Sequence, residues 1–244
     1  MSNGLALLRV INLDRLTNRA AALYAMGFEP RNEPCFRVEN ADADRARVYV
    51  YEVIGGWYLD TAEFVKAVHD IKSSAIDLHV NSPGGLVFDA VSMYEALRSH
   101  PAEVTTHIDG LAASAASFIS LAGDTVEIAK AGRVMIHDAQ GVGIGNAEDL
   151  RQYADLLDDI SVDISGFYAD KAGGSPAAWR AAMQANAGDG TWYSAQQAVD
   201  AGLADRIAGS DDADNSARNT TNAAADMRSQ LIRARARVAL GGVK

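Results

Sequence analysis

The chain has 244 residues, with 22 basic and 32 acidic side chains and a net charge of −10. A general nucleic-acid binder needs a basic face to neutralise phosphates, so the acidic balance argues against that class of protein. The single cysteine, Cys35, excludes an intramolecular disulfide framework and a multi-cysteine zinc site.

The sequence also has no apolar run long enough to span a bilayer, and we expect no membrane association. No basic region precedes the first apolar residues, so a secretory signal is not predicted. We therefore expect a protein of the cytoplasm. A hydrophobic content of 48% is enough to bury a proper core.

Composition divides the chain into three zones. Residues 1–35 contain a helix-like apolar pattern closed by Gly27, which we interpret as an N-terminal arm or a removable propeptide. Residues 36–207 form the dense globular part. Residues 208–244 are rich in Asp, Asn, Thr and Ala and then in arginine, so they predict a flexible tail with, at most, a short basic helix.

Strands and helices alternate along the globular part. A β-branched and aromatic stretch, residues 47–54, predicts a strand, and apolar residues at helical spacing follow it. The further predicted elements are a strand at 75–80, a helix at 87–97, a strand at 103–108, a helix within the Ala/Ser-rich stretch 110–123, and strands at 125–128 and 133–136. This alternation is typical of a mostly parallel α/β sheet.

One long helix stands apart in the pattern. Asn146 is placed to cap it, Asp149 follows three residues later, and Gly173 ends it. Its apolar residues step by three and four, which gives a coiled-coil-like seam on an otherwise acidic helix; they are Leu150, Tyr153, Leu157, Ile160, Ile164 and Phe167. Two interpretations stay open: packing on its own domain, or meeting its copy in another subunit.

Two loops between strands and helices have unusual backbone chemistry. In residues 81–85 (NSPGG), the paired glycines permit positive φ and let backbone N–H groups converge on an anion or a carbonyl oxygen. In residues 110–117 (GLAASAAS), Ser114 stands at a helix start between small residues. Such a serine is either a simple helix cap or an exposed nucleophile.

A nucleophilic serine needs a base, and the chain has five histidines. His69 and His100 fall on or just after helices, and His79 and His107 alternate with apolar residues inside strands, so these four are interpreted as surface or structural residues. His137 ends the strand 133–136, where parallel-sheet proteins place their active sites.

The order NSPGG, then Gly-x-Ala-Ala-Ser at 110–114, then Arg-Val-Met-Ile-His at 133–137, resembles the Clp protease proteolytic subunit. The phage and prophage head-maturation (prohead) proteases related to it are the most similar branch. Further matches to that branch are residues 36–40 (FRVEN), 48–51 (VYVY), 191–195 (TWYSA) and 201–205 (AGLAD). The resemblance covers about residues 36–207.

The resemblance implies an α/β fold of the Clp protease and crotonase type, with repeated strand–strand–helix units and a protruding handle helix. It implies Ser114 as the nucleophile, His137 as its general base, and the backbone N–H groups of Gly85 and Ala115 as the oxyanion hole. The family's acid position is occupied here by Gly190, and Asp189, one residue earlier, is the predicted acid. Asp138, Asp163, or a Ser–His dyad without an acid are the alternatives.

The function implied is that of a serine endopeptidase that cleaves scaffold and capsid polypeptides during phage head assembly, in the host cytoplasm or inside the procapsid. The resemblance further implies a ring-like homo-oligomer, an AAA+ ATPase as a partner, and no metal or organic cofactor. The sequence lacks a Walker loop, so any ATP dependence would come from that partner. The alternatives are an acyl-CoA enzyme of the crotonase group and an assembly protein without activity.

Overall fold

The computed structural model describes residues 36–40, 44–55 and 61–210. The predicted N-terminal arm and nearly all of the predicted tail lie outside these ranges. Eight strands and six helices follow one another in these ranges. They are β1 (Phe36–Asn40), β2 (Arg45–Val50), α1 (Thr61–Asp70), β3 (Ala75–Ser82), α2 (Val87–Ser99), β4 (Glu103–Ala113), α3 (Ala115–Ser120), β5 (Thr125–Ile128), β6 (Arg133–Ile136), α4 (Ala147–Ala172), α5 (Pro176–Met183), β7 (Thr191–Ser194), α6 (Ala195–Asp200) and β8 (Arg206–Ile207).

All eight strands belong to one sheet, ordered β1-β2-β3-β4-β5-β8, with β6 paired to β4 and β7 paired to β6. The pairs from β2 to β5, together with β4–β6 and β5–β8, are parallel. Only the edge pairs β1–β2 and β6–β7 are antiparallel. The predicted mixed α/β class is confirmed. The repeated strand–strand–helix units and the handle remain predictions.

The apolar core lies between the sheet and its helices. Alternate residues of the central strands point to this side, such as Val48, Leu78 and Ile108, and each is at most 1% exposed. Helices α1 and α2 cover them with Phe64 and Met93, both fully buried. Burial of this apolar surface is the main force that holds the helices against the sheet.

The opposite face of the sheet carries a row of polar and aromatic side chains in register. Tyr49 stacks on His79 and His79 stacks on His107, with ring centroids 4.8 and 4.7 Å apart. His107 Nδ1 lies 3.3 Å from the Glu127 carboxylate, which also pairs with Arg206. His79 and His107 therefore brace neighbouring strands, as their alternation with apolar residues predicted.

The long helix α4 begins and ends where the sequence predicted. The Asn146 side chain accepts from the Glu148 and Asp149 amides, and the Asp149 carboxylate accepts in return from the Asn146 amide, which forms a complete capping box. Gly173 follows its last turn with φ 79°. Of the helices in the described ranges, none has both the length and the apolar character that crossing a membrane requires.

The two halves of α4 differ in what they contact. Near its C-terminal end, Ile164 and Tyr168 are 6% and 1% exposed and belong to the core of the same chain. Near its N-terminal end, Leu150 is 44% exposed. The first of the two interpretations of the apolar seam therefore holds for the C-terminal half, and the N-terminal half presents apolar surface to solvent.

Candidate active site

The site lies where β4 extends beyond β5 and takes β6 as its neighbour. The first part of β4 pairs with β5, and its last residues pair with β6, with Ala113 opposite Met135. The ladder continues one step further, because the Ser114 amide donates to Met135 O at 2.9 Å. This register brings the end of β4 beside the end of β6, and so Ser114 beside His137.

Ser114 and His137 form a direct hydrogen bond. The distance between Ser114 Oγ and His137 Nε2 is 2.7 Å, and both side chains are half-buried. A serine hydroxyl in this position can pass its proton to the imidazole when Nε2 is unprotonated. Although Ser114 precedes helix α3, its side chain makes no cap hydrogen bond to that helix, so it does not act as an ordinary helix cap.

The backbone of Ser114 is strained. Its φ of 54° and ψ of −127° are rare for a residue with a side chain, and such conformations persist only where the surroundings enforce them. Ser114 is the residue at which the chain turns from β4 into α3. A strained serine between a strand and a helix is also the geometry of the nucleophile elbow in other hydrolases.

The NSPGG loop packs directly against this turn. Gly84 has φ 92°, and a Cβ on it would lie 2.7 Å from Ser114 Cβ and 2.8 Å from Ala115 N. Only glycine permits this approach, which confirms the positive φ that the sequence predicted in the loop. Gly85 bridges Ile54 in parallel through the bonds Ile54 N to Gly84 O and Leu86 N to Ile54 O. In such a bridge the N–H of Gly85 itself points away from Ile54.

Asn81 and Ser82 hold the same loop in place. Asn81 Oδ1 accepts from the Leu111 amide at 3.0 Å and thereby ties the NSPGG loop to the segment that leads to Ser114. Ser82 Oγ donates to Glu52 O at 2.6 Å and accepts from the Gly84 amide at 3.1 Å. These two supporting roles of the motif side chains were not predicted from the sequence.

The position where the family's acid is expected lies directly across from His137. Thr191 pairs with Ile136 in the antiparallel β6–β7 ladder, so Gly190 is the next residue opposite His137. A Cβ on Gly190 would lie 2.1 Å from Ile136 O and 2.6 Å from His137 Cβ, and its φ is 84°. The chain therefore approaches His137 more closely here than any residue with a side chain would allow.

The structure does not bring the Asp189 carboxylate onto His137. Asp189 follows the 3₁₀ turn Asn186–Gly188 and is exposed. Its carboxylate makes no hydrogen bond or ion pair with another residue in the described ranges. The role of Asp189 as the acid thus stays a prediction.

The two other acids that the sequence offered are placed differently. Asp138 faces helix α5, where Arg180 Nε lies 2.7 Å from its Oδ1 and Gln184 Nε2 donates to its Oδ2 at 3.0 Å. Asp163 is exposed on α4. Within the described residues, no group of three or more His, Cys, Asp or Glu side chains is arranged to hold a metal ion.

A serine hydroxyl bonded to an imidazole, beside backbone amides at a tight strand–helix turn, is the arrangement of serine hydrolases. The comparisons with known proteins agree with this class. The profile of the Clp protease family matches residues 61–211, which is more than half of the chain. This chain belongs to the Clp protease family.

The individual relatives share about a third of their aligned residues with the chain or fewer. The chain is 27% identical over 185 residues to the "ATP-dependent Clp protease proteolytic subunit 1" of Protochlamydia amoebophila, which covers 70% of the chain and 84% of that protein. It is 32% identical over 136 residues to subunit 3 of Streptomyces coelicolor and 30% identical over 135 residues to the subunit of Bacteroides fragilis. These two matches cover 54% of the chain, and 60% and 63% of the relatives.

Proposed function

We propose that this protein is a serine endopeptidase in which Ser114 is the nucleophile and His137 the general base. The observation that carries the proposal is the 2.7 Å hydrogen bond between Ser114 Oγ and His137 Nε2 at a strained turn. Membership of the Clp protease family supports the same reaction and weighs against the acyl-CoA alternative.

The proposed reaction begins with a proton transfer from Ser114 to His137. His137 Nε2 accepts the hydroxyl proton as Ser114 Oγ attacks the carbonyl carbon of the scissile peptide bond. The oxyanion that forms accepts hydrogen bonds from the Gly85 and Ala115 amides, and the protonated imidazole then gives its proton to the leaving amine. Water, activated by the same imidazole, hydrolyses the acyl-enzyme and restores Ser114.

Asp189 is our candidate for the acid that orients His137. An aspartate bonded to the Nδ1–H fixes the productive tautomer, so Asp189→Asn should lower kcat by roughly a hundred- to ten-thousand-fold. Asp138→Asn and Asp163→Asn are matched controls and should cost much less. Steady-state hydrolysis of a fluorogenic peptide by the three variants decides, and a loss confined to Asp138→Asn or Asp163→Asn would assign the role to that residue.

We further propose that the N-terminal half of α4 meets a copy of the chain in a ring-like homo-oligomer. Exposed apolar side chains support this proposal, on the helix and on the extended segment before it: Leu150 (44%), Val142 (52%) and Ile144 (47%). The helix would then act as the predicted handle, from Ala147 to about Lys171. The names of the relatives describe subunits of ATP-dependent proteases, which supports an AAA+ ATPase as a further partner.

Leu150→Asp tests this interface, because it places a charge on the exposed apolar surface without entering the chain's own core. We expect the variant to run as a smaller species on size-exclusion chromatography with light scattering. Gln152→Asp, which adds the same charge on a polar side chain of the same helix, should keep the wild-type mass. A wild-type protein that is already monomeric at working concentration would contradict the proposal. Ile164 is unsuitable for this test because it is buried in its own subunit.

The proposed substrates are the scaffold and capsid proteins of a phage head. The support is the sequence resemblance to the prohead branch in residues 36–40, 48–51, 191–195 and 201–205. Co-expression with such proteins in a bacterial cytoplasm should give shortened products by mass spectrometry, and Ser114→Ala should give none. Intact scaffold and capsid proteins beside a wild-type enzyme that cleaves peptides would refute the role in head maturation and leave the peptidase activity standing.

A further inference from the structure

Ser117 lies one turn into α3 from the nucleophile and is 1% exposed. Its amide donates to the Ser114 carbonyl at 2.9 Å, and its hydroxyl reaches the same carbonyl oxygen at 2.5 Å. Because a carbonyl can only accept, the Ser117 proton points towards Ser114 O. Hydrogen bonds to two elements thus hold the strained residue. Its carbonyl accepts from Ser117 in α3, and its amide donates to Met135 O in β6.

Tyr168 completes this arrangement from the long helix. Its hydroxyl lies 2.7 Å from Ser117 Oγ, and its side chain is 1% exposed. Burial raises the pKa of the Tyr168 phenol, so it stays neutral and keeps its proton. Since the Ser117 proton is committed to Ser114 O, the Tyr168 hydroxyl donates to Ser117 Oγ. A chain of two hydrogen bonds therefore runs from α4 to the backbone of the nucleophile.

Packing fixes the α4 end of this chain. The neighbouring Phe167 stacks on Phe118 of α3, with ring centroids 5.3 Å apart. The ring centroid of Phe167 also lies 4.6 Å from that of Tyr94 in α2. The Tyr168 ring itself packs on Trp179 of α5 at 5.6 Å. This packing leaves the phenol little freedom to move away from Ser117. The position of the Ser114 carbonyl therefore depends on the position of α4.

We propose that Ser117 and Tyr168 are positioning residues, which hold the Ser114 carbonyl and thereby aim Oγ at His137. Neither touches the reacting atoms. This inference rests on the proposed function, since the nucleophile that they position is the proposed one. It also gives α4 a role inside the subunit that is separate from any contact between subunits.

Tyr168→Phe and Ser117→Ala test the proposal, because each removes one hydroxyl and keeps the packing. We expect each to lower kcat for a fluorogenic peptide about tenfold with KM unchanged, as the loss of one hydrogen bond to a positioned group would do. The double variant should be no worse than the worse single variant, because the two bonds form one chain. Ser120→Ala and Tyr94→Phe are matched controls and should keep kcat. Ser120 is equally buried on α3, yet its hydroxyl bonds Ala116 O.

Wild-type kcat in both test variants, even with lower thermal stability, would show that the two hydroxyls are merely structural and would overturn the proposal. Crystal structures of the variants give a readout that does not need activity. We expect Ser114 Oγ to leave hydrogen-bond distance of His137 Nε2, and an unchanged 2.7 Å separation would overturn the proposal. If the wild type shows no turnover that depends on Ser114, the proposed peptidase function is wrong. The positioning role is then tested by the crystal structures only.

Discussion

Ser114→Ala should abolish peptide hydrolysis while leaving the fold intact. The variant removes the hydroxyl that is hydrogen-bonded to His137 Nε2, and the neighbouring serine hydroxyls on α3 are directed at backbone carbonyls. Loss of a nucleophile in a Ser–His site costs about 10⁴-fold or more in kcat, because no other group can form the acyl-enzyme.

The measurement is kcat for a fluorogenic peptide, with thermal melting followed by circular dichroism as the test of folding. Ser92→Ala is a suitable control, since Ser92 is exposed on α2 and its hydroxyl bonds Phe88 O. Both variants should melt near the wild-type temperature. Turnover by Ser114→Ala at the wild-type rate would remove Ser114 from the mechanism.

Gly190→Ala should also lower kcat, on the order of a hundredfold, by displacing His137. The added methyl group would lie 2.1 Å from Ile136 O and 2.6 Å from His137 Cβ, which is closer than atoms can approach without overlap. The alanine would also have to keep the backbone φ of 84°. Relief of that overlap must push β7 away from β6 or rotate the imidazole, and displacement of about 1 Å from a productive geometry costs on the order of a hundredfold in rate.

Gly188→Ala is the matched control for this variant. Gly188 is in the same loop and has a positive φ of 93°, but a Cβ there would contact nothing within 4 Å. Both variants carry the same kind of backbone strain, and only Gly190→Ala adds the clash. We expect kcat to fall about a hundredfold more in Gly190→Ala than in Gly188→Ala. Equal activities would show that the close approach to His137 has no catalytic consequence.

Much of the fold could be predicted because local signals agreed with the tertiary structure. Alternating burial in β5 and β6 and the capping box at Asn146 are properties of short segments, and all three were found where the sequence placed them. The Ala/Ser-rich stretch was predicted less well. Its first four residues extend β4, and the helix covers only Ala115–Ser120, since pairing of Leu111–Ala113 with β6 outweighs the helix propensity of alanine.

The sequence did not predict the four elements that follow α4, namely α5, β7, α6 and β8. Helix α5 and strand β7 are short, and β7 is defined by its antiparallel pairing with β6 rather than by its own pattern. A capping box at Ser194 and Gln197, at the start of α6, was a usable local signal.

The candidate site likewise has a part that the sequence predicted and a part that it did not. The family motifs singled out Ser114 and His137, and the structure brings the two side chains together. No local pattern reveals that Gly190 lies across from His137 or that Tyr168 reaches Ser117, because both contacts join segments that are distant in sequence.

Labelling of the 244-residue chain with a fluorophosphonate probe tests the central claim most directly. The reagent phosphonylates a serine hydroxyl only where a base has activated it, and an acyl-CoA enzyme of the same fold would not need such a serine. We predict one modified peptide by mass spectrometry, with the label on Ser114, and loss of the label in His137→Ala. An unlabelled protein, or a label on another residue that persists in His137→Ala, would contradict the assignment of Ser114 and His137 as nucleophile and base.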